Sequence, residues 1–226
     1  MKAIQNAGGH VGLTAREYPI AYNTAIQAGE VVKLQAGLVV ASAAVASAAI
    51  LGIAAEGHPG TADVLNPRAN GTAILVYDNP ELIFECPAPK FAAASGSATT
   101  IVPKSGDVDA NAADDSFNNS IAVLAELGAS STNTDPIGKR ITITDYTKTD
   151  TTMTKASGGA PSAGDVYELY PQIGTDIGGI ASLDSTGLSK VVLTAAGATK
   201  IKCVGHDYAR HMIRLMAVEH QLGVEN

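Results

Sequence analysis

One short phrase occurs three times in this chain and limits every other reading of it. "AGEVVKL" at Ala28–Leu34 returns as "SGDVDAN" at Ser105–Asn111 and as "AGDVYEL" at Ala163–Leu169. Downstream of each stands an Ile-Ala pair: Ile53-Ala54, Ile121-Ala122 and Ile180-Ala181. A glycine then opens a strand-like run, "GTAILVYD" from Gly71, "GKRITITDY" from Gly138 and "GATKIKCVG" from Gly197. The interval from the isoleucine to that glycine is 18, 17 and 17 residues. A glycine followed by an acid is tight-turn chemistry, because glycine takes a backbone conformation closed to other residues and the carboxylate bonds back to nearby amides. "ITITDY" alternates β-branched and polar residues with period two, the pattern of a sheet with one buried face. Turn signals follow each first strand ("DNP", "YTKTD", "GHD"), and second runs come in "ELIFEC" and "TTMTK". The units read as hairpins, and copy spacings of 77 and 58 residues are too uneven for a solenoid.

The expected fold is therefore mainly β: hairpin-built barrel or sandwich modules with little helix. The recurrence also bears on "AGLVVASAAVASAAILGIAA", Ala36–Ala55, which carries no charge over twenty residues. A membrane span is a poor reading, since thirteen of the twenty are Ala, Ser or Gly and no Trp exists to anchor an end. Between opener glycine and Ile-Ala pair the copies measure 24, 15 and 16 residues, so the first carries an insertion, which falls in "ASAAVASAA". The stretch reads as two strands, near "LVV" and "ILGIAA", around a small-residue loop or short helix. The alternative is one alanine-rich helix, which intrinsic propensity favours.

Three segments follow: an N-terminal arm (1–27) without strand or helix pattern, a first β module (28–92), and a second β region (93–226) holding two further hairpin modules, with a soft boundary near Ala93. "CPAPKFAAASGSATTIVPKSG", "ASSTNTDP" and "TKASGGAPSAG" read as linkers or loops. "HDYARHMIRLMAVEHQLG", from His206, reads as a short C-terminal helix capped by Asp207, with Tyr208, Met212, Leu215, Met216 and Leu222 on one face and Gly223 at its end. The recurrence offers a strand there instead.

Composition excludes several functions. A net charge of −7 with scattered basic residues gives no stripe to neutralise phosphates, so nucleic acid is not an expected partner. The start, "MKAIQNAGGHVG", lacks the apolar core of a signal peptide, which points to synthesis in the cytoplasm. Cys86 and Cys203 sit in apolar, strand-like settings and read as buried thiols. "DVDANAADDSFN", from Asp107, matches a calcium loop at Asp107, Asp109 and Asn111 but has Ala112 where the turn glycine belongs and Asn118 where the bidentate glutamate belongs. His206 and His211 are five apart, the wrong spacing for a metal pair on a helix, and His10, His58 and His220 are isolated. There is no nucleophile elbow and no phosphate loop, so neither catalysis nor a cofactor or metal is expected.

The order G-[DE]-V-V-x-L, a small-residue stretch, G-I-A, then a glycine-led strand resembles the head-decoration (capsid cement) proteins of tailed bacteriophages. The matching residues are "AGEVVKLQAGLVV", "ILGIAAEG" and "NGTAILVYDNPELIFECPA", with Ala163–Val204 a looser match and the middle module the most divergent. The resemblance implies a β-rich virion protein that binds the outside of the assembled shell, bridges major capsid protein subunits and contacts neighbouring copies of itself, as a trimer at local threefold positions. In this chain the arm and the loop Ala41–Ala49 are the expected coat contacts, through Ile4, Val11, Leu13, Tyr18, Ile20, Tyr22, Ala44 and Val45. Two rivals stand beside it: a small major coat protein that builds the shell itself, and a surface adhesin or carbohydrate-binding module, for which aromatic residues at 4% offer little stacking surface.

Overall fold

The three glycine-acid openers fold alike. Gly29, Gly106 and Gly164 have φ of 82°, 90° and 88°, and the following acid donates its N–H three residues back: Glu30 to Gln27 (3.0 Å), Asp107 to Lys104 (3.1 Å) and Asp165 to Ser162 (3.1 Å). This is a type II turn with glycine where φ must be positive. In the first and third copies the glycine N–H also reaches an alanine carbonyl across the ladder, Gly29 to Ala54 (2.8 Å) and Gly164 to Ala93 (2.9 Å). The same alanines donate back to the carbonyls of Glu30 (2.8 Å) and Asp165 (2.7 Å), so two residues face one in a glycine-led bulge. Gly138 (φ 87°) repeats the device against Leu124.

The computed structural model describes residues 2–6, 14–21, 24–41, 50–60, 73–108, 114–115, 117–174, 176–177 and 201–217, and every regular element among them is a strand. None is a helix long and apolar enough to cross a membrane. A first sheet has the order β2 (Ala15–Pro19), β8 (Ala73–Tyr77), β6 (Gly52–Ala54), β4 (Val31–Gln35), β5 (Leu38–Ala41). The uncharged stretch thus splits into β5 and β6, as the recurrence requires; residues 42–49 lie outside the described residues. Ala36 and Gly37, both at positive φ, form the two-residue turn between β4 and β5. The sheet curls until Ile20 bridges Val39, around Ile20, Ile26, Val32, Val39, Leu51, Ala54, Ile74 and Val76. Ile26 comes from a ribbon of β3 (Ala25–Ile26) and β7 (His58–Pro59).

The second sheet is a closed barrel: β10 (Lys90–Ser97), β11 (Thr100–Pro103), β14 (Thr152–Lys155), β13 (Arg140–Thr147), β12 (Ile121–Glu126), β15 (Val166–Tyr170) and back to β10. Phe91, Phe117, Tyr146, Met153 and Tyr167 fill it together with aliphatic side chains. The third sheet collects strands from far apart in the chain, in the order β1 (Lys2–Asn6), β9 (Leu82–Pro87), β18 (Met212–Ala217), β17 (Ile201–Asp207), β16 (Asp176–Ile177). Its Leu82, Phe84, Cys86, Cys203, Ile213 and Leu215 join one apolar cluster with Val31 and Ile53 of the first sheet and Val123 and Tyr170 of the barrel. It is the layer that ties the other two together.

Three hairpins carry the same flaw in register. In β13–β14 the ladder slips between Ile143 and Asp145, in β17–β18 between Cys203 and Gly205, and in β10–β11 between Ala93 and Ser95. Counting back from each turn, the slip falls at the same place, so these are three realisations of one bulged hairpin. Two are the hairpins expected after Gly138 and Gly197. The third corrects the sequence reading: the Pro-, Ala- and Ser-rich segment Cys86–Gly106 is not a linker but supplies β10 and β11, and Ala93 lies inside a strand. Nor does "GTAILVYDNPELIFEC" form a hairpin, because β8 and β9 part into different sheets.

Over residues 206–217 the C-terminal helix is also corrected; Leu222 and Gly223 lie outside the described residues. Ile213 and Leu215 alternate inward on β18, opposite Cys86 and Phe84 of β9, and a helix there would leave the β9 backbone without that ladder. Asp207 does cap, but it caps the hairpin turn, its Oδ1 accepting the Arg210 N–H at 3.1 Å. At the other end, the described parts of the segment read as an arm contain strands of this chain's own sheets: β1 pairs with β9, β2 with β8 and β3 with β7.

Candidate functional site

Ionisable side chains converge where the tip of β17–β18 rests on the barrel. Glu168 on β15 is buried, and its Oε2 accepts from Tyr170 Oη (2.9 Å) and from His211 Nδ1 (2.8 Å) in the tip. Lys90 Nζ lies 3.6 Å from its other oxygen. Glu85 on β9, 2% exposed, takes Arg210 and Arg214, the latter at 3.1 Å. Both arginines also pair with Asp207. Burying two carboxylates is tolerable because each is met by cations and donors.

Beside these pairs lies an aromatic cluster. Tyr170 contacts the His206 ring (centroids 5.4 Å) and the Tyr208 ring (4.5 Å), and the Arg140 guanidinium sits 3.8 Å over Tyr208, a cation–π contact between barrel and tip. His206 Nε2 is 2.7 Å from the Pro171 carbonyl and Nδ1 is 3.0 Å from Tyr208 Oη. Burial holds the His206 imidazolium below the usual histidine range, against an opposing pull from that carbonyl. Burial, reinforced by the bond to Glu168, raises the Tyr170 phenol. Every group here has a protein partner, so the cluster acts as a polar joint between two sheets.

A second network plugs one end of the barrel. Lys155, 2% exposed, donates to the carbonyls of Ala98 (2.9 Å) and Gly159 (3.0 Å), and burial lowers its ammonium while Asp135 opposes. Asp165 accepts from Gly128 N–H (2.9 Å), Ser162 N–H (3.0 Å) and Asn133 Nδ2 (3.0 Å). Burial alone would raise that carboxyl; the Ser162, Gly128, Ser131 and Asn133 donors together bring it below the usual range. The loops 129–136 and 156–164, legible from sequence only as turn-rich, are tied to each other here.

The expected coat contacts scatter. Ile4 stands on β1. Tyr18 stands on β2 and its hydroxyl donates to Asp78, which also faces Arg16 at 3.5 Å; burial and then Asp78 push the Tyr18 phenol up to about 12. Ile20 is 2% exposed and serves this chain's own core, so its side chain offers a coat subunit no surface in this conformation. Val11, Leu13, Tyr22, Ala44 and Val45 lie outside the described residues. Asp107 is an opener acid whose Oδ2 accepts the Ala92 N–H at 2.8 Å; the residues of the calcium-like run from 109 to 113 lie outside the described residues. Among the described residues no three His, Cys, Asp or Glu side chains group as metal ligands.

Cys86 and Cys203 are free, buried thiols, facing Ile213 and Leu215 on opposite sides of β18. Two ladders separate them by about 10 Å, beyond disulfide reach. Burial pushes them up to about 12 and about 11. No protein-family model, curated protein or solved structure matches the chain.

Proposed function

We propose that this chain is a head-decoration protein, a structural rather than catalytic component that binds the outside of an assembled phage shell and bridges its coat subunits. The observation carrying the reading is the segment of closest resemblance: "AGEVVKL", "LVV" and "GIA" come together as the turn, bulge and adjacent strands β4, β5 and β6 of one sheet. Three further features support it. The fold is all strand among the described residues, its ionisable clusters are internal ties, and a charge of −7 suits an outer surface better than a place against the genome. A protein that binds the lattice but not free subunits stabilises the lattice by linkage, about 2.7 kcal/mol per site at a hundredfold excess over the dissociation constant.

The test is co-sedimentation of purified protein with empty expanded shells. Binding to shells and not to unassembled coat subunits supports the proposal. Shells formed by this chain alone would favour a coat protein, and absence of binding would end the decoration reading. Deleting residues 1–20 with undiminished shell binding would remove the N-terminal segment from the interface.

A further inference from the structure

We infer that Tyr170 and Tyr208 form an oxidative cross-linking site, at which one-electron oxidants join the two phenol rings through a carbon–carbon bond and tie the barrel covalently to the third sheet. This does not rest on the capsid reading. The rings are in contact, with centroids 4.5 Å apart and planes inclined at 44°. Tyr170 stands at the end of β15 in the barrel and Tyr208 in the turn of β17–β18. Each hydroxyl already faces a base. Tyr170 Oη donates to Glu168 Oε2 (2.9 Å). The Pro171 carbonyl only accepts, so Nε2 of His206 carries a proton, and in the neutral ring Nδ1 takes the Tyr208 hydroxyl (3.0 Å).

Exposure sets the order of events. Tyr208 is partly buried and Tyr170 is 1% exposed, so an oxidant in solution meets Tyr208 first. Losing an electron makes a phenol strongly acidic, and a base at hydrogen-bond distance takes its proton. Tyr208 passes its proton to His206 and is left as a neutral radical. Arg140, 3.8 Å over that ring, opposes a cationic ring and not a neutral one. The Tyr208 radical then takes an electron from Tyr170 and its proton back from His206, while the Tyr170 proton goes to Glu168. A second oxidant molecule oxidises Tyr208 again, and the two adjacent radicals couple at ring carbons ortho to oxygen. Each of those carbons gives up its hydrogen as a proton and each oxygen regains one. The chain ends two hydrogens lighter with both hydroxyls restored, and two oxidant molecules are each reduced by one electron.

The test uses the intact protein and photogenerated tris(bipyridine)ruthenium(III), a one-electron oxidant, with persulfate as electron acceptor. Trypsin places Tyr170 in the peptide 156–190 and Tyr208 in the peptide 203–210. The expected product is a monomer in which these two peptides are joined, with their summed mass less two hydrogens and the fluorescence of dityrosine. Held in contact, this pair should exceed every other tyrosine pair about tenfold in the folded chain and lose that lead in urea. Glu168→Gln, which removes one proton acceptor, should slow the coupling, and Tyr208→Phe should abolish it. No product joining the two peptides, equal yield in urea, a product chiefly between molecules, or an undiminished rate in a folded Glu168→Gln protein would each overturn the site. The mapping is read on the native sequence, so a variant that fails to fold leaves it testable.

Discussion

The barrel and the first sheet begin from the same turn-and-bulge device and close in different ways. In the barrel every strand is hydrogen-bonded on both sides and all six lie between Lys90 and Tyr170. In the first sheet, closure is one isolated bridge between Ile20 and Val39 with the Ala21 N–H on the Val39 carbonyl (3.0 Å). Their interiors differ to match. The barrel holds an edge-on pair, Phe117 and Tyr146 (4.6 Å), and a stack of Phe91 on Tyr167 (5.6 Å), whereas the described core of the first sheet is aliphatic. Rings thus fill the interior of the closed ladder and aliphatic chains that of the partly closed one, while both pack on the third sheet, through Val123 and Tyr170 and through Val31 and Ile53.

The sharpest way to break this comparison is to separate the two. A fragment of residues 88–172 is expected to fold alone, with cooperative thermal unfolding and dispersed NMR shifts, while residues 14–78 alone should give a broad, weakly cooperative transition. A cooperative 14–78 fragment would show that partial closure suffices. Next in size is truncation of the ring pair: Phe117→Ala should cost about 3–5 kcal/mol in denaturant unfolding, with the loss confined to the barrel transition.

A smaller effect follows from the opener acids, which occupy one turn position but shift in opposite directions. Asp165 has donors enough to lie below its ordinary range. Glu30, with burial outweighing its bond from the Gln27 N–H (2.8 Å), lies above. A depressed carboxyl contributes stability above its unfolded value of about 4 that is lost as pH falls through the folded value. A raised carboxyl does the reverse, and its burial cost is relieved as pH falls. Acidification from pH 6 to pH 3 should thus weaken Asp165's contribution to the barrel and relieve a cost in the first sheet. Asp165→Asn and Glu30→Gln should each flatten the pH dependence of their own unit, read by residue-level exchange. Equal slopes in the two variants would refute the contrast.

Smallest is backbone strain in the two turns. Thr151 (φ 51°) and Ala36 (φ 51°) occupy the left-handed region, at about 1–2 kcal/mol for a residue with a β-carbon. Glycine at either should raise the melting temperature, more at Thr151 because of its branched side chain. No gain at either position would mean that the glycine's added freedom in the unfolded chain cancels the relief.

How much of this was legible depended on range. The openers, the split of the uncharged stretch and the strands after Gly138 and Gly197 are written in local chemistry: a glycine that must take positive φ, an alternation of period two. What failed needed partners. β18 is six residues long, and Met212, Leu215 and Met216 fit a helical face as well as they fit a strand until β9 is known to lie beside them. After Lys90, β10 spends its outward positions on Ala, Gly and Ser, which looks like a linker without the barrel at its back. β8 and β9 look like a hairpin because Asp78, Asn79 and Pro80 make a turn, and only the sheets on either side show that the chain is crossing between layers. The joint was invisible for the same reason: Glu168 and His211 are 43 positions apart, and no local spacing connects them.

The third sheet has a mechanical consequence. β1 and β18 both run antiparallel to β9 between them, so they point the same way, and a pull backward on β1 and forward on β18 slides the strands along one another. Such a load is shared by whole ladders at once and does not peel bonds singly. Tension applied through those two strands is therefore met along the layer's stiffest axis.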